Sequence, residues 1–415
     1  MRLPPAFQHR RFALLWGGLL ISIAGSQMQS AALLWHLRTL SDQPIVVSGI
    51  GLARFLPIVL LSMIGGVVAD RFNRRRILFI TQTIMALEAL TLSLLTLTGL
   101  IQVWHIYLLT GIQAAAIAFD LPARQSLVPN LVPRTDLPSA FSLQSIAFNT
   151  GAILGPMLGG VMIATTGLNT VYLFNALSFG AVLLALALMG PVEQAAAAPL
   201  PRGSRLIRWS DIREGIRFTM RQPIILGSMV LDFWATFFSS ANTLLPFVAV
   251  DILHVDEVGY GWLASAQAIG AVGVGLVLSQ RTRLRRQGQL LLAAVVFFGL
   301  ATILFGVARS FWLVMLALML IGAADSVSTI VRNTIRQLQT PDHLRGRMIS
   351  INQIFFQGGP QLGEIEAGAV AQAFGPAAAI ISGGVGCIVA AGVVAACWPR
   401  LRQYDGEEPE PGLAG

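Results

Sequence analysis

Asp232, Asp325, Glu364, Arg54 and Glu88 are ionisable residues that lie inside otherwise apolar stretches of this chain. Charge in hydrocarbon surroundings is costly, so each is a functional candidate whose partner has to be named. A carboxyl in a low-dielectric cavity can exchange protons near neutral pH. Asp232 is the first candidate for a proton carrier and Asp325 the second; each can also be read as a satisfied polar residue. Glu364 and Glu366 are two residues apart, about 200° around a helix, so only one can face a cavity. Glu364 shares a stripe with Gln353 and Gln357 and is that one. Arg54 and Glu88 lie at depths differing by about 6 Å when counted from their shared loop, which predicts an ion pair, either structural or coupling. Around these charges lie further polar residues at helical spacing: Ser22, Ser26, Gln29 and His36; Thr110 and Gln113 before Asp120; Thr236, Ser239 and Thr243 after Asp232; Ser328 and Arg332 after Asp325. With Asn149, Gln357 and aromatic residues including Trp35, Phe119, Phe148, Trp234, Phe238 and Phe355, they can line a pocket for a bulky, partly apolar solute.

The elements that carry these residues follow from composition. Of 415 residues, 55% are hydrophobic and 12% charged, with mean hydropathy +0.70. Soluble domains average about 25% charged residues; a water-soluble globule and a disordered chain are both excluded. Spanning helices need about 20 apolar residues. Twelve runs qualify: 12–37, 46–69, 77–98, 103–123, 138–164, 170–190, 222–250, 258–279, 289–307, 311–333, 347–373 and 376–398. The expected fold is an all-α membrane protein of two six-helix bundles, 12–190 and 222–398, with tails 1–11 and 399–415. The connection 191–221 carries six arginines; from Trp209 to Met220 it reads either as an amphipathic helix on the membrane surface or as a solvated basic linker. The acidic tail from Tyr404 is expected to be disordered.

Net charge is +8, and all 28 basic residues are Arg. All but Arg38, Arg54 and Arg309 fall in the tails or at the ends of alternate loops, which predicts cytoplasmic termini and a cytoplasmic linker. Arginines in short tracts between apolar runs specify topology rather than nucleic-acid binding. Arg10 and Arg11 precede an apolar run that continues to about Trp35, so an uncleaved first helix is expected rather than a secretory signal. Cys387 and Cys397 lie about 15 Å apart on one helix, too far for a disulfide. Phosphate loops, zinc-ligand spacings and nucleophile motifs do not stand out, so neither enzyme activity nor a cofactor or metal is expected.

An internal repeat divides the chain at the linker. Arg124 and Pro133 follow the fourth span as Arg332 and Pro341 follow the tenth, each pair offset by 208 residues. Two parallel six-helix halves of this kind are a transporter architecture.

Between the second and third spans runs Gly66-x-x-Ala69-Asp70-Arg71-x-Asn73-Arg74-Arg75-Arg76. It resembles motif A of the major facilitator superfamily, with Asn73 in place of the second Gly; Asn tolerates a left-handed turn. The resemblance implies a conformational latch. Asp70 meets the start of the eleventh helix, where a carboxylate complements the helix dipole, and Arg74 pairs with an acid at the end of the fourth, here Asp120. The fifth span carries Gly151-x-x-x-Gly155-Pro156-x-x-Gly159-Gly160, similar to motif C of the antiporter and exporter branches. Small residues at this spacing let helices approach closely, and Pro156 can kink the helix. The stretches 122–133, 141–143 and 358–364 resemble the enterobactin-exporter-like and macrolide-efflux-like branch. In this superfamily helices one, four, seven and ten line the cavity, which matches the polar stripes. One departure stands out: the Arg of drug–proton antiporters in helix four is missing from Thr110-Gly111-Ile112-Gln113-Ala114. The resemblance implies export of a small amphipathic molecule, drug or siderophore-like, by alternating access in the cell membrane, with proton antiport by a monomer. An importer or symporter on the same fold and a non-transporting membrane sensor are the alternatives.

Overall fold

A computed structural model describes residues 4–192, 217–280, 286–340 and 345–406. The basic stretch 202–213, and with it most of the linker, lies outside them. The described chain is built of helices, twelve of them long. α1 spans Arg10–Leu40, α2 Ile50–Arg71, α3 Arg74–Leu97, α4 Val103–Leu127, α5 Leu137–Thr166 and α6 Leu168–Met189. After the linker come α7 Pro223–Ser239, α8 Glu257–Ser279, α9 Gln287–Val307, α10 Phe311–Gln339, α11 Arg345–Phe374 and α12 Pro376–Cys397. Among the described residues, eleven helical segments are long and apolar enough to cross a membrane. α11 has the length, at 30 residues, but is too polar to count among them. The seventh span continues beyond α7 through short helical turns to the π-helical Val248–Ile252.

Local sequence explains several boundaries. Asn73 caps α3, its side chain accepting a hydrogen bond from Arg76 N–H at 3.1 Å. Its φ is −63°, so it serves as an N-cap and not as the left-handed residue expected in place of glycine. Gly167 and Gly375, 208 residues apart, end α5 and α11 with φ of +92° and +88° and extended ψ. That region is accessible essentially to glycine alone, and another residue there costs about 1–3 kcal/mol. Gly375→Ala is expected to lower the thermal unfolding midpoint even though a Cβ there would meet open space; an unchanged midpoint would remove the backbone argument.

Contacts divide the chain into two compact units. The first is Met1–Arg202 with His254–Ser265; the second is Gly203–Leu253 with Ala266–Gly415. Inside the first, α1 packs on α5 and α6, α3 on α4 and α6, and α2 on α4. Inside the second, α7 packs on α11 and α12, and α9 on α10 and α12; α8 and α10 cross with Gly270 against Met319 and Gly322 against Gln267. The second unit therefore repeats the neighbour pattern of the first. Large apolar side chains such as Leu94, Leu177, Leu184, Leu276 and Leu300 are exposed, as a hydrocarbon solvent requires. The start of α8 joins the first unit because Gly160 of α5 lies against the Glu257 carbonyl and Gly261, and Gly261 of α8 against the Pro156 carbonyl and Gly160. Tyr260 Oη donates to the Ala31 carbonyl at 2.9 Å, and Ser265 Oγ to that of Ile153 at 2.7 Å.

The tail from Tyr404 begins ordered, contrary to expectation. Tyr404 is buried; its carbonyl accepts from Gly288 N–H at 2.9 Å, and Asp405 accepts from Arg286 N–H. Residues 407–415 lie outside the described part.

Candidate functional site

Each unit holds a polar cluster inside its helix bundle. In the second unit, Asp232 of α7 forms an ion pair with Arg332 of α10, both side chains almost fully buried. Arg332 Nη2 also donates to Thr329 Oγ1 at 2.8 Å and lies 3.7 Å from Asp325 Oδ1, whose side chain is half exposed. Asp325 and Arg332 are seven residues apart, two turns along one face of α10. Arg336, one turn further, is buried too; it donates to the Arg332 carbonyl at 3.2 Å and to Asn333 Oδ1 at 2.6 Å. Asp232 Oδ2, Arg332 Nε and Arg336 Nη1 have no hydrogen-bond partner among the described residues. Two acids and two arginines thus share a small volume with donors and acceptors to spare, an arrangement that can be rewired by moving one proton.

Glycines bring α11 close to this cluster. Gly359 lies against Phe233 and Thr236, and Gly363 against the Phe237 carbonyl. Thr236 Oγ1 is turned back to the carbonyls of Asp232 and Phe233. Phe233, Trp234, Phe237, Phe238 and Phe355 form an aromatic group with centroid separations between 5.2 and 6.2 Å. Trp234 is 41% exposed. Glu364 is buried, while Gln357 and Glu366 are half-buried. The Gln353 side chain lies outside the described residues.

In the first unit, Glu88 of α3 is buried and accepts from Gln29 Nε2 of α1 at 3.1 and 3.2 Å. Gln29 Oε1 in turn accepts from Asn175 Nδ2 of α6 at 2.7 Å, and Asn175 Oδ1 accepts from Ser178 Oγ at 3.0 Å. Nearby, the His36 ring meets Tyr172 Oη at 3.0 Å. Gln29 is therefore a buried member of this network. The expected Arg54–Glu88 ion pair does not form. The buried Nη2 of Arg54 has no hydrogen-bond partner among the described residues. The reason is lateral: α2 packs on α4 with few contacts to α3, so similar depth does not bring Arg54 to Glu88.

Arg74 does not pair with Asp120 as the resemblance implies. It donates to the Ser126 carbonyl at 3.0 Å, to Asn130 Oδ1 at 3.2 Å and to the Ala69 carbonyl at 3.3 Å. Asp120, fully buried, is held instead by Arg124 one turn along α4, by Thr81 at 3.0 Å and by Gln82 at 2.8 Å. Thr81 and Gln82 lie two turns beyond Arg74 on α3, about 10–12 Å along the helix axis, which puts Asp120 outside its reach. Arg71 is exposed. A Cβ at Gly66 would meet open space, whereas the neighbouring Gly65 lies against the Ala118 carbonyl. The side chains of Asp70 and of 345–347 lie outside the described residues, and with them the expected latch on the eleventh helix.

The fifth-helix glycines behave as their spacing implies. Gly151 lies against Ile23 and Ala24, Gly155 against Gln27 and Ala24, and Gly159 against Met28, all on α1. The Pro156 carbonyl faces Gly261. Ser22 is buried, Ser26 half-buried, and Gln113 buried. Asn149 and the exposed Phe148 line a cavity between α1, α4 and α5. Trp35 is buried and packs on Tyr260 at 4.9 Å, so it belongs to the packing of the bundle.

The sequence places Arg332 in a polar stripe without naming its partner, and it gives no site role to Arg336 or Asn175. Arg332 carried a signal, its repeat partner Arg124. Asn175 carried one too, as a lone amide in a highly apolar helix.

Twelve long helices in two bundles of matching pattern, with charge clusters inside them, define a membrane transporter of the major facilitator class. The chain belongs to the family described as transmembrane secretion effector, which matches residues 3–413. It is 27% identical over 391 residues to the multidrug efflux pump Tap of Mycolicibacterium fortuitum, covering 92% of this chain and 94% of the relative. It is 26% identical over 349 residues to the enterobactin exporter EntS of Citrobacter koseri, covering 84% and 82%. Among solved structures it is similar to a bacterial homologue of the human lysosomal transporter Spinster, with a TM-score of 0.74, 14% identity, and 96% and 99% coverage. A POT family transporter in complex with 5-aminolevulinic acid has a TM-score of 0.74, 13% identity, and 93% and 96% coverage. These two likenesses concern the fold.

Proposed function

We propose that the protein exports a small amphipathic molecule from the cell by alternating access, exchanging it for protons. It does so as a monomer in the cell membrane with both termini cytoplasmic. The export direction is supported by the efflux pump and the exporter to which the chain is similar, and the orientation by the arginine distribution. The observation that carries proton exchange is the buried Asp232–Arg332 pair with Asp325 beside it. With Asp232 ionised, Arg332 ties α7 to α10. A proton added to the Asp232 carboxylate neutralises it, and Arg332 turns to Asp325 on its own helix. The tie between the two helices loosens without leaving a guanidinium uncompensated. A shift between two arrangements of one ion pair is the kind of two-state element that a proton gradient can bias.

The test is transport in proteoliposomes with an imposed pH gradient, using a mixed panel of dyes, antibiotics and catecholate chelators. Wild-type protein is expected to accumulate at least one solute uphill. Asp232→Asn is expected to abolish uphill movement while retaining binding and gradient-free counterflow. Undiminished uphill transport by that variant removes Asp232 from the mechanism. Gradient independence for every accepted solute removes proton exchange altogether.

A further inference from the structure

The cavity between α1, α4 and α5 has a volume of about 360 Å³, within the range of small-molecule sites. It lies entirely within the first unit, apart from the Asp232 cluster. Among the described residues one charged side chain lines it, Arg124, and no carboxylate does. Arg124 spends Nε and Nη2 on a single oxygen of Asp120, and its Nη1 donates to no protein acceptor among the described residues. The two ends of this ion pair are unequally accessible: the Arg124 side chain is 23% exposed and that of Asp120 is 0% exposed. The pair therefore turns its positive end to the cavity and keeps its negative end behind. Trp16, Phe141 and Phe148 add aromatic surface, with Phe141 and Phe148 about half exposed. Gln144 and Asn149 supply neutral amides.

We infer that this cavity binds the anionic, aromatic end of the transported solute, with Arg124 as the contact for its acidic group. The inference rests on the export reading above and specifies the charge of the molecule. A cation entering the cavity meets the guanidinium, and no carboxylate is among the described lining residues. A carboxylate, sulfonate or acidic phenol meets a free N–H of a fixed positive group, and its ring meets Phe141 and Phe148. Neutral amphipaths gain the aromatic contact alone.

The experiment uses full-length protein in lipid nanodiscs, with empty nanodiscs as the blank and no pH gradient. The probes are 8-anilinonaphthalene-1-sulfonate as the anion, N-phenyl-1-naphthylamine as the neutral analogue and ethidium as the cation. Wild type is expected to bind the anion more tightly than the other two. The double variant Asp120→Asn/Arg124→Gln removes both charges and leaves no orphaned ion. It is expected to weaken anion binding about tenfold or more, the scale of a hydrogen bond to a charged group, and to change neutral binding less than about twofold. Ser145→Asp places a carboxylate on the accessible cavity wall; should the double variant fail to fold, this variant carries the same expectation. Equal loss of anion and neutral probe, unchanged anion affinity, or tighter binding of the cation by wild type overturns the inference. Because binding is read without a gradient, failure of proton exchange in Asp232→Asn leaves this result standing. Loss of the anion preference likewise leaves uphill transport of another solute intact.

Discussion

Arg332→Met is expected to destabilise the protein by about 3–5 kcal/mol, the cost of leaving one member of a buried ion pair without its partner. Asp232 is 1% exposed in its side chain and Arg332 2%, so water cannot take over the missing interaction. Adding Asp232→Asn to Arg332→Met removes the orphaned charge and is expected to recover most of the loss, since a buried pair replaced on both sides is often neutral or better. The double variant is then folded but has no ion pair to switch, and uphill transport is expected to stay absent. This separates a structural pair from a coupling one. Cys387 is free and buried, whereas Cys397 is free and exposed. With Cys397 replaced, labelling of Cys387 by a thiol dye during heating reports unfolding. A single variant as stable as wild type would show that the pair carries no weight in the fold. Uphill transport by the stabilised double variant would show that it carries none in coupling.

The second large effect comes from a residue with no side chain. A Cβ on Gly363 of α11 would sit against the Phe237 carbonyl of α7, which is backbone and cannot swing aside. Gly363→Ala is expected to cost at least the about 1–3 kcal/mol typical of overpacking, and Gly363→Leu to prevent folding of the second unit. Asp232 lies on the same stretch of α7, so Gly363→Ala is also expected to slow transport through a displaced ion pair. Gly392 of α12 is the control, because a Cβ there would meet nothing within 4 Å. Gly392→Ala is expected to be neutral or slightly stabilising, Ala being the better helix former by about 1 kcal/mol. Thermal unfolding of the two alanine variants side by side settles the matter. Equal midpoints would mean that α7 and α11 separate at no cost.

Helices and their polar faces follow from residue spacing, and spacing along one helix is reliable. That is why Asp325, Ser328 and Arg332 read as one stripe, and why Gly151, Gly155 and Gly159 read as one packing seam from their spacing alone. Sideways neighbours are a different matter. Arg54 and Glu88 lie at similar depth, yet their helices barely touch; Gln29 arrives from a third helix and occupies the carboxylate. Arg74 and Asp120 suit each other by family resemblance, yet Arg124 is a single turn from Asp120 and takes it. Asn73 was expected to stand in for a turn glycine and instead caps the next helix, because its side-chain oxygen meets a free N–H at the helix start.

A bilayer-spanning chain, a repeat of residue positions about the linker and a glycine seam in the fifth helix were all written in the amino-acid order, since hydrophobic length and helical periodicity act over short distances along the backbone. Which buried charge meets which was settled only by folding. Partners such as Asp232 and Arg332 are a hundred residues apart, and in a medium without water to compensate them, the packing of whole helices selects the pairs.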